Sequence, residues 1–278
     1  MSSLPHPSGA TLATRKLLPF GSAFTSHVAD LCRCESLDID LARPLAGGIG
    51  FAHRPESQAI PPAVLWVPGG AESAPESVVR LPVVARWLPT APVLVVDLPH
   101  HSAEQMTAIA EAYRLAERVA RDSTDCPVAV GLRACHLAGG RRHLANLTLL
   151  RRRAEEWGLS IALDLTGSFD PLWEAEAAVL RLGGRLAVVR ISSRANLPSA
   201  VNLDRVARRA VRAAIEQRRD VRVSIEPDVR WWQRRGARAL ADAWTVAASR
   251  INPWVGPTVR NVAPRTGEER RHRSLPPR

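Results

Sequence analysis

From Val93 onward the chain alternates two hydrophobic rhythms. Nearly unbroken aliphatic runs at Val93–Leu98, Pro127–Leu132, Leu159–Leu165, Leu186–Ile191 and Val221–Ile225 read as strands covered on both faces. Between them lie stretches whose apolar residues recur at i, i+3 and i+4, the period of an amphipathic helix: Ala103–Arg121, Leu144–Trp157, Pro171–Leu182, Leu203–Arg218 and Gly236–Arg250. The punctuation agrees with this division. Ser102 and Gln105 form a capping pair, and Asp170-Pro171 is an N-cap followed by proline at the first helical position. Gly158 and Gly183-Gly184 stand where helices need a residue tolerant of left-handed backbone.

Strand followed by helix, five times in succession, calls for parallel strands joined by right-handed crossovers. The first half supplies three more strands, at Lys16–Phe20, Ser36–Leu41 and Ala63–Val67, with helices at Thr25–Arg33 and Ser77–Trp87. The second helix is replaced by the loop 42–62. Eight strands, with no glycine-rich phosphate loop opening a helix after the first, favour a (β/α)₈ TIM barrel over a doubly wound sheet. The expected division is an unstructured segment over residues 1–15, a barrel over 16–251, and a basic Pro/Arg-rich tail over 252–278.

Chemistry in such a barrel gathers at the carboxyl ends of the strands. The polar residues there are Asp38 and Asp40 on the second strand and Asp97 through His101 on the fourth. The fifth ends in Arg133 to His136, the sixth in Asp164 to Ser168, the seventh in Arg190 to Ser193, and the eighth in Glu226 to Asp228. Strand alternation puts Asp164 on the face of Ala162 and Ser160, and Glu226 on that of Ser224 and Arg222. Likewise Arg190 shares a face with Val188, and Arg133 with Gly131 and Ala129. All four therefore point into the barrel, where unlike charges must pair with one another, with a ligand or with water.

Composition narrows the setting. The chain of 278 residues carries a formal charge of +11, yet Lys16 is its only lysine and Tyr113 its only tyrosine. Arginine-rich helix faces and the tail account for the excess, and base-stacking aromatics are sparse, so a nucleic-acid partner is not expected. No apolar run reaches the roughly 18 residues of a membrane span, and Met1–Ala10 has no secretory pattern, so the expected location is cytoplasmic, with no membrane partner. Cys32, Cys34, Cys126 and Cys135 lack zinc-site spacing and read as reduced thiols. A homo-oligomer is compatible with all of this.

The order of elements and the strand-end residues over about Lys16–Ile251 resemble the xylose-isomerase-like barrels, the superfamily of sugar isomerases, epimerases and endonuclease IV. The most similar pieces are Leu159-Ser-Ile-Ala-Leu-Asp164 and Val221-Arg-Val-Ser-Ile-Glu226. The resemblance implies a sugar-type or anionic small-molecule ligand, proton transfer beside a carbonyl, and a divalent metal, Mg²⁺ or Mn²⁺, held by Asp164 and Glu226 with two or more further ligands. Those further ligands are missing. The fifth-strand Glu position falls near Arg133, the His position after strand six near Gly167-Ser168, and the seventh-strand His-x-x-Asp reads Arg190-Ile-Ser-Ser193. Two hard ligands do not hold such an ion firmly, so no cofactor is expected. Two readings remain open. In one, Glu226 and Asp164 carry protons with His100 as partner, while Arg133, Arg190, His136 and Trp231 bind the ligand. In the other, Asp164–Arg190 and Glu226–Arg133, or the swapped pairing, are structural ion pairs in a non-catalytic barrel, a scaffold or accessory subunit. An endonuclease-IV-like enzyme is a third reading, which fits the charge but lacks the metal ligands.

Overall fold

The computed structural model describes residues 9–14, 17, 22–40, 62–68, 93–97, 114, 116–118, 127–133, 141–166, 173–192, 201–218, 220–227 and 229–255. Eight parallel strands close into a barrel in chain order: β1 (Thr11–Ala13), β2 (Leu37–Asp40), β3 (Pro62–Pro68), β4 (Val93–Asp97), β5 (Val128–Arg133), β6 (Ser160–Asp164), β7 (Leu186–Ser192) and β8 (Arg222–Glu226). The described helices are α1 (Ser22–Cys32), α2 (Arg141–Glu156), α3 (Trp173–Leu182), α4 (Val201–Gln217) and α5 (Val229–Val255), the last broken into two pieces by a kink at Gly236, where φ is +81°. The barrel expected from the hydrophobic rhythm is thus present, with seven strands within two residues of their expected bounds.

The first strand is a correction. It is Thr11–Ala13, not Lys16–Phe20, and it lies inside the segment 1–15 read as unstructured. Leu12 pairs with Leu37 of β2 on one side and with Ile225 of β8 on the other, which closes the barrel. Three residues are too few to show a period, whereas Leu17, Leu18 and Phe20 advertise apolar character. Leu17 is indeed buried, but in the turn after the strand, where its N–H donates to the Thr14 carbonyl at 2.8 Å. Helix α5 also runs past Ile251 to Val255, into the segment read as tail. Asn252 in that helix accepts a hydrogen bond at 2.9 Å from the Ala10 amide, tying the two ends of the barrel sequence together. The expected loop 42–62, the helix Ser77–Trp87 and the residues after 255 lie outside the described residues, apart from Pro62 at the start of β3. Of Ala103–Arg121 only 114 and 116–118 are described, and these are helical.

Two helix ends follow from backbone hydrogen bonding. After α2, Gly158 adopts φ +67°, its N–H meets the Glu155 carbonyl, and the Leu159 N–H reaches the Ala154 carbonyl at 2.8 Å. These are the two bonds of a Schellman cap. The end of α1 has the same pair, Arg33 to Asp30 and Cys34 to Ala29, with Arg33 at φ +53° in the place glycine usually takes.

Strand alternation splits the core in two. Leu12, Leu37, Ile39, Leu65, Leu94, Val130, Ile161, Val189 and Ile225 face outward and pack with buried helix residues such as Leu150, Val179, Val211 and Trp244. A separate cluster, including Val64, Trp66, Val93, Val95, Ala129, Ala162 and Val188, fills the bore. Trp244 also donates its indole N–H to the Ile225 carbonyl at 3.2 Å, pinning α5 onto β8.

Candidate functional site

At the carboxyl end of the strands the inward positions change from aliphatic to charged. Asp40 is the last residue of β2, Asp97 of β4, Asp164 of β6 and Glu226 of β8. Every even-numbered strand therefore ends on a carboxylate. A barrel layer takes its side chains from alternate strands, so a ring of four acids is what this register yields. Asp38 stands two residues below Asp40, on the same face of β2 because the side-chain period of a strand is two. All five are buried, with exposures between 0 and 5%.

Arg190 on β7 reaches into this ring. Its Nε and Nη2 donate to Asp38 Oδ2 and Oδ1 at 2.9 and 2.6 Å, a two-pronged guanidinium–carboxylate pair. Nη1 lies 3.6 Å from Asp40 Oδ2 and 3.6 Å from Asp164 Oδ2. It is buried and makes no hydrogen bond among the described residues. The guanidinium carbon sits 4.0 Å from the centroid of the Trp66 ring, in cation–π contact. Burial opposes the charge on Arg190, but Asp38, Asp164 and Asp40 outweigh it and hold its pKa above the ordinary arginine value. Burial likewise pushes the Asp38 carboxyl up, against the pull of Arg190. The short two-pronged contact identifies the pair as ionised.

Trp66 has room because β5 carries glycine opposite it. A Cβ on Gly131 would stand 2.8 Å from Trp66 Cζ3, 3.0 Å from Val95 Cγ1 and 3.1 Å from the Asp97 Cα. Asp164 is held in place by its own strand end. Its Oδ1 accepts from the Thr166 amide at 3.0 Å and from the Thr166 hydroxyl at 2.6 Å. Glu226 pairs in register with Ser192 of β7.

Among the residues expected at the site, Asp164, Glu226 and Arg190 share this end of the bore. Arg133 ends β5 and pairs in register with Asp164; its side chain is outside the described residues. His100 and His136 are outside them altogether, and Trp231 lies in the first turn of α5 with its side chain likewise outside. The pair Asp164–Arg190 is present as a 3.6 Å contact, but the principal partner of Arg190 is Asp38. Sequence reasoning placed Asp38 at a strand end without giving it a role and passed over Trp66. The alternation Leu37-Asp-Ile-Asp40 was the available signal for Asp38, since it puts both acids inside. Trp66 carried no signal beyond strand membership.

The arrangement does not fit the divalent metal implied by the resemblance. Among the described residues no three His, Cys, Asp or Glu side chains are placed to hold an ion. The place where three carboxylates face one another is filled by the Arg190 guanidinium.

No protein-family model matches the chain, and no curated protein matches it. Solved structures do. The carboxyl transferase domain of Rhizobium etli pyruvate carboxylase with 3-bromopyruvate aligns over 91% of this chain and 48% of its own, at 14% identity and TM-score 0.50. The same domain with pyruvate and biocytin aligns over 92% and 50%, at 12% identity and TM-score 0.49. The chain spans about half the length of these structures. At such identity the likeness is one of fold, and the protein is a (β/α)₈ barrel of the TIM type. No helix among the described residues is long and apolar enough to cross a membrane.

Proposed function

We propose that this barrel binds a small uncharged, hydroxyl-rich metabolite of the sugar or polyol kind at the carboxyl ends of its strands, as a divergent sugar isomerase or epimerase of xylose-isomerase-like type. The observation that carries this reading is the three carboxylates around Arg190, those of Asp38, Asp40 and Asp164, with the Nη1 donor facing the last two. A hydroxyl both accepts and donates, so it can take the N–H of Arg190 while giving its own proton to a carboxylate. A phosphate or carboxylate ligand would meet the same guanidinium but also five buried acids, and Arg190 already has its fork on Asp38. The uncharged ligand is therefore favoured over the anionic one.

For chemistry beside a carbonyl, Glu226 is the proton carrier of choice and Asp164 its partner. Asp164 Oδ1 is held by two Thr166 donors, which fix its carboxylate and suit it to a positioning role. His100, His136, Arg133 and Trp231 are the further residues assigned to the proposed site. The setting is cytoplasmic. The test is incubation of the purified protein with aldoses and ketoses in D₂O, followed by NMR for deuterium next to the carbonyl. Incorporation that Glu226→Gln abolishes is expected. Absence of both incorporation and thermal stabilisation by any neutral sugar or polyol would sink the reading.

A second reading has its own observation. Arg190, Asp38 and Asp164 are 0 to 2% exposed, with Arg190 bonded to Asp38 and in ion-pair contact with Asp164, as in a barrel whose charged end serves stability alone. A scaffold or accessory role then follows, and the same NMR experiment separates the two. The nucleic-acid reading has no observation in its favour among the described residues.

A further inference from the structure

The four strands that end on acids begin differently. Four residues upstream of Asp40, Asp97, Asp164 and Glu226, and so on the same face of each strand, stand Ser36, Val93, Ser160 and Arg222. These line the amino end of the bore. Ser36 and Val93 are buried, whereas Ser160 and Arg222 are partly exposed. Strands β6 and β8 flank β7, so Ser160 and Arg222 share one side of this mouth. Arg218, just before β8, reaches the same side. Its Nε and Nη2 donate to Asp220 Oδ1 and Oδ2 at 2.6 and 2.7 Å, and its Nη1 donates to Ser160 Oγ at 3.2 Å. Ser160 accepts that bond and keeps its own hydroxyl proton to give. Arg222 makes no hydrogen bond or ion pair among the described residues. Burial pulls its pKa below the ordinary arginine value and Asp220 only partly offsets this, whereas Arg218, bonded to the same acid, is raised. A partly desolvated guanidinium with no acceptor carries a cost that an anion would remove.

We infer that the amino end of the bore is a second binding site, where Arg222 and Ser160 take a small carboxylate. The fork of a guanidinium matches a planar carboxylate. Arg218 and Arg222 against Asp220 leave a single positive charge, which one carboxylate balances. The described helices run back toward this end, and the partial negative charge of their C-termini disfavours a dianion. The site lies at the far end of the bore from the acids, so its test leaves the sugar reading untouched. The full-length protein is melted in increasing sodium acetate, with sodium chloride holding the ionic strength constant and acetamide as the uncharged counterpart. A saturable rise in Tm of about 2–4 °C is expected with acetate and none with acetamide. Arg222→Met should lose that rise, yet melt no lower than wild type without acetate, because it sheds an unpaired and partly buried charge. Ser160→Ala should keep the rise but need several-fold more acetate. Saturation transfer to the acetate methyl protons, seen with wild type and lost in Arg222→Met and Arg222→Gln, reads binding without melting. The inference is overturned if acetate acts no better than chloride or acetamide, if both Arg222 variants still bind it, or if Arg222→Met melts well below wild type. Kosmotropic salts stabilise proteins generally, so phosphate and sulfate are compared through the difference between wild type and Arg222→Met. A larger difference with either of them than with acetate would overturn the choice of a singly charged ligand.

Discussion

Two sets of arginine–carboxylate pairs in this molecule have nearly the same geometry and opposite settings. In the bore, Arg190 meets Asp38 at 2.6 Å with both side chains fully buried. On the surface of α2, Arg153 meets Glu156 at 2.7 Å with 52 and 36% of the side chains exposed, and on α4 Arg212 meets Glu216 at 2.9 Å with 69 and 62% exposed. The distances hardly differ, and the water does. Around the surface pairs, solvent already stabilises each charge separately, so bringing the two together gains little. In the bore each charge has lost its hydration, so each depends on its partner for nearly all of its stabilisation. The comparison also explains why a net charge of +11 says little about the site. The surface arginines make up much of that charge, while the charged end of the bore is acidic.

The largest effect that would break this contrast is at Arg190. Arg190→Met leaves Asp38, Asp40 and Asp164 facing one another in the bore, and unfolding in urea should show a loss of about 3–5 kcal/mol. Adding Asp38→Leu should return part of it, because the second change removes one uncompensated charge. A loss below roughly 1 kcal/mol for the single change would place the bore pair with the surface pairs. Next comes the space that Trp66 needs to lie under Arg190. Gly131→Ala puts a Cβ 2.8 Å from the Trp66 ring and 3.1 Å from the Asp97 Cα, and backbone cannot yield as a flexible side chain can. A cost of about 2–3 kcal/mol is expected from such overpacking, with a change in tryptophan fluorescence as the ring shifts.

These two positions also mark how far the sequence could be read. Seven strands were legible because their aliphatic runs are long enough to show a pattern, and the one misplaced strand, Thr11–Ala13, is three residues long. The acid ring is equally open to view, since Asp40, Asp97, Asp164 and Glu226 all stand at strand ends, and only the last two match the metal-binding pattern of the resemblance. The bond between Arg190 and Asp38 joins residues 152 apart and crosses the bore from β7 to β2. Periodicity gives the face a side chain occupies, but not how far a long one reaches across the barrel. The need of Trp66 for a glycine opposite it is hidden for the same reason, as it lies in the packing of three strands.

Smaller effects sharpen the contrast within the bore. Thr166→Val removes the hydroxyl that Asp164 accepts at 2.6 Å while the backbone N–H at 3.0 Å remains. A loss of about 1.5 kcal/mol is expected, with Thr166→Ser close to wild type. A different kind of burial acts at the two thiols at the end of α1, Cys32 and Cys34. Burial pushes the Cys34 thiol up to about 12, and Cys32 rises further through burial and the neighbouring Cys34 and Asp242. A folded-state pKa above the unfolded one means the stabilisation is whole below the unfolded value, near 9, and is lost as pH rises toward 12. Urea unfolding should therefore show no pH dependence from these thiols near neutrality and a decline above about pH 9 that Cys32→Ala/Cys34→Ala reduces. An identical decline in that double variant would show that other groups drive it.

The smallest effect belongs to the surface pairs, and it is the control on which the contrast rests. Arg212 and Glu216 are one helical turn apart on α4, joined at 2.9 Å and well over half exposed. Both side chains give up rotamer freedom to meet, and salt screens what attraction remains. A double-mutant cycle with Arg212→Ala and Glu216→Ala should give a coupling of at most about 0.5 kcal/mol, shrinking further in high salt. The same cycle on Arg190 and Asp38 should give a coupling several times larger that salt barely moves, because counterions do not enter the bore. Equal couplings in the two cycles would mean that water reaches Arg190 as freely as it reaches α4. The bore would then be a hydrated mouth, and the acids around Arg190 would be exposed to whatever ligand enters it.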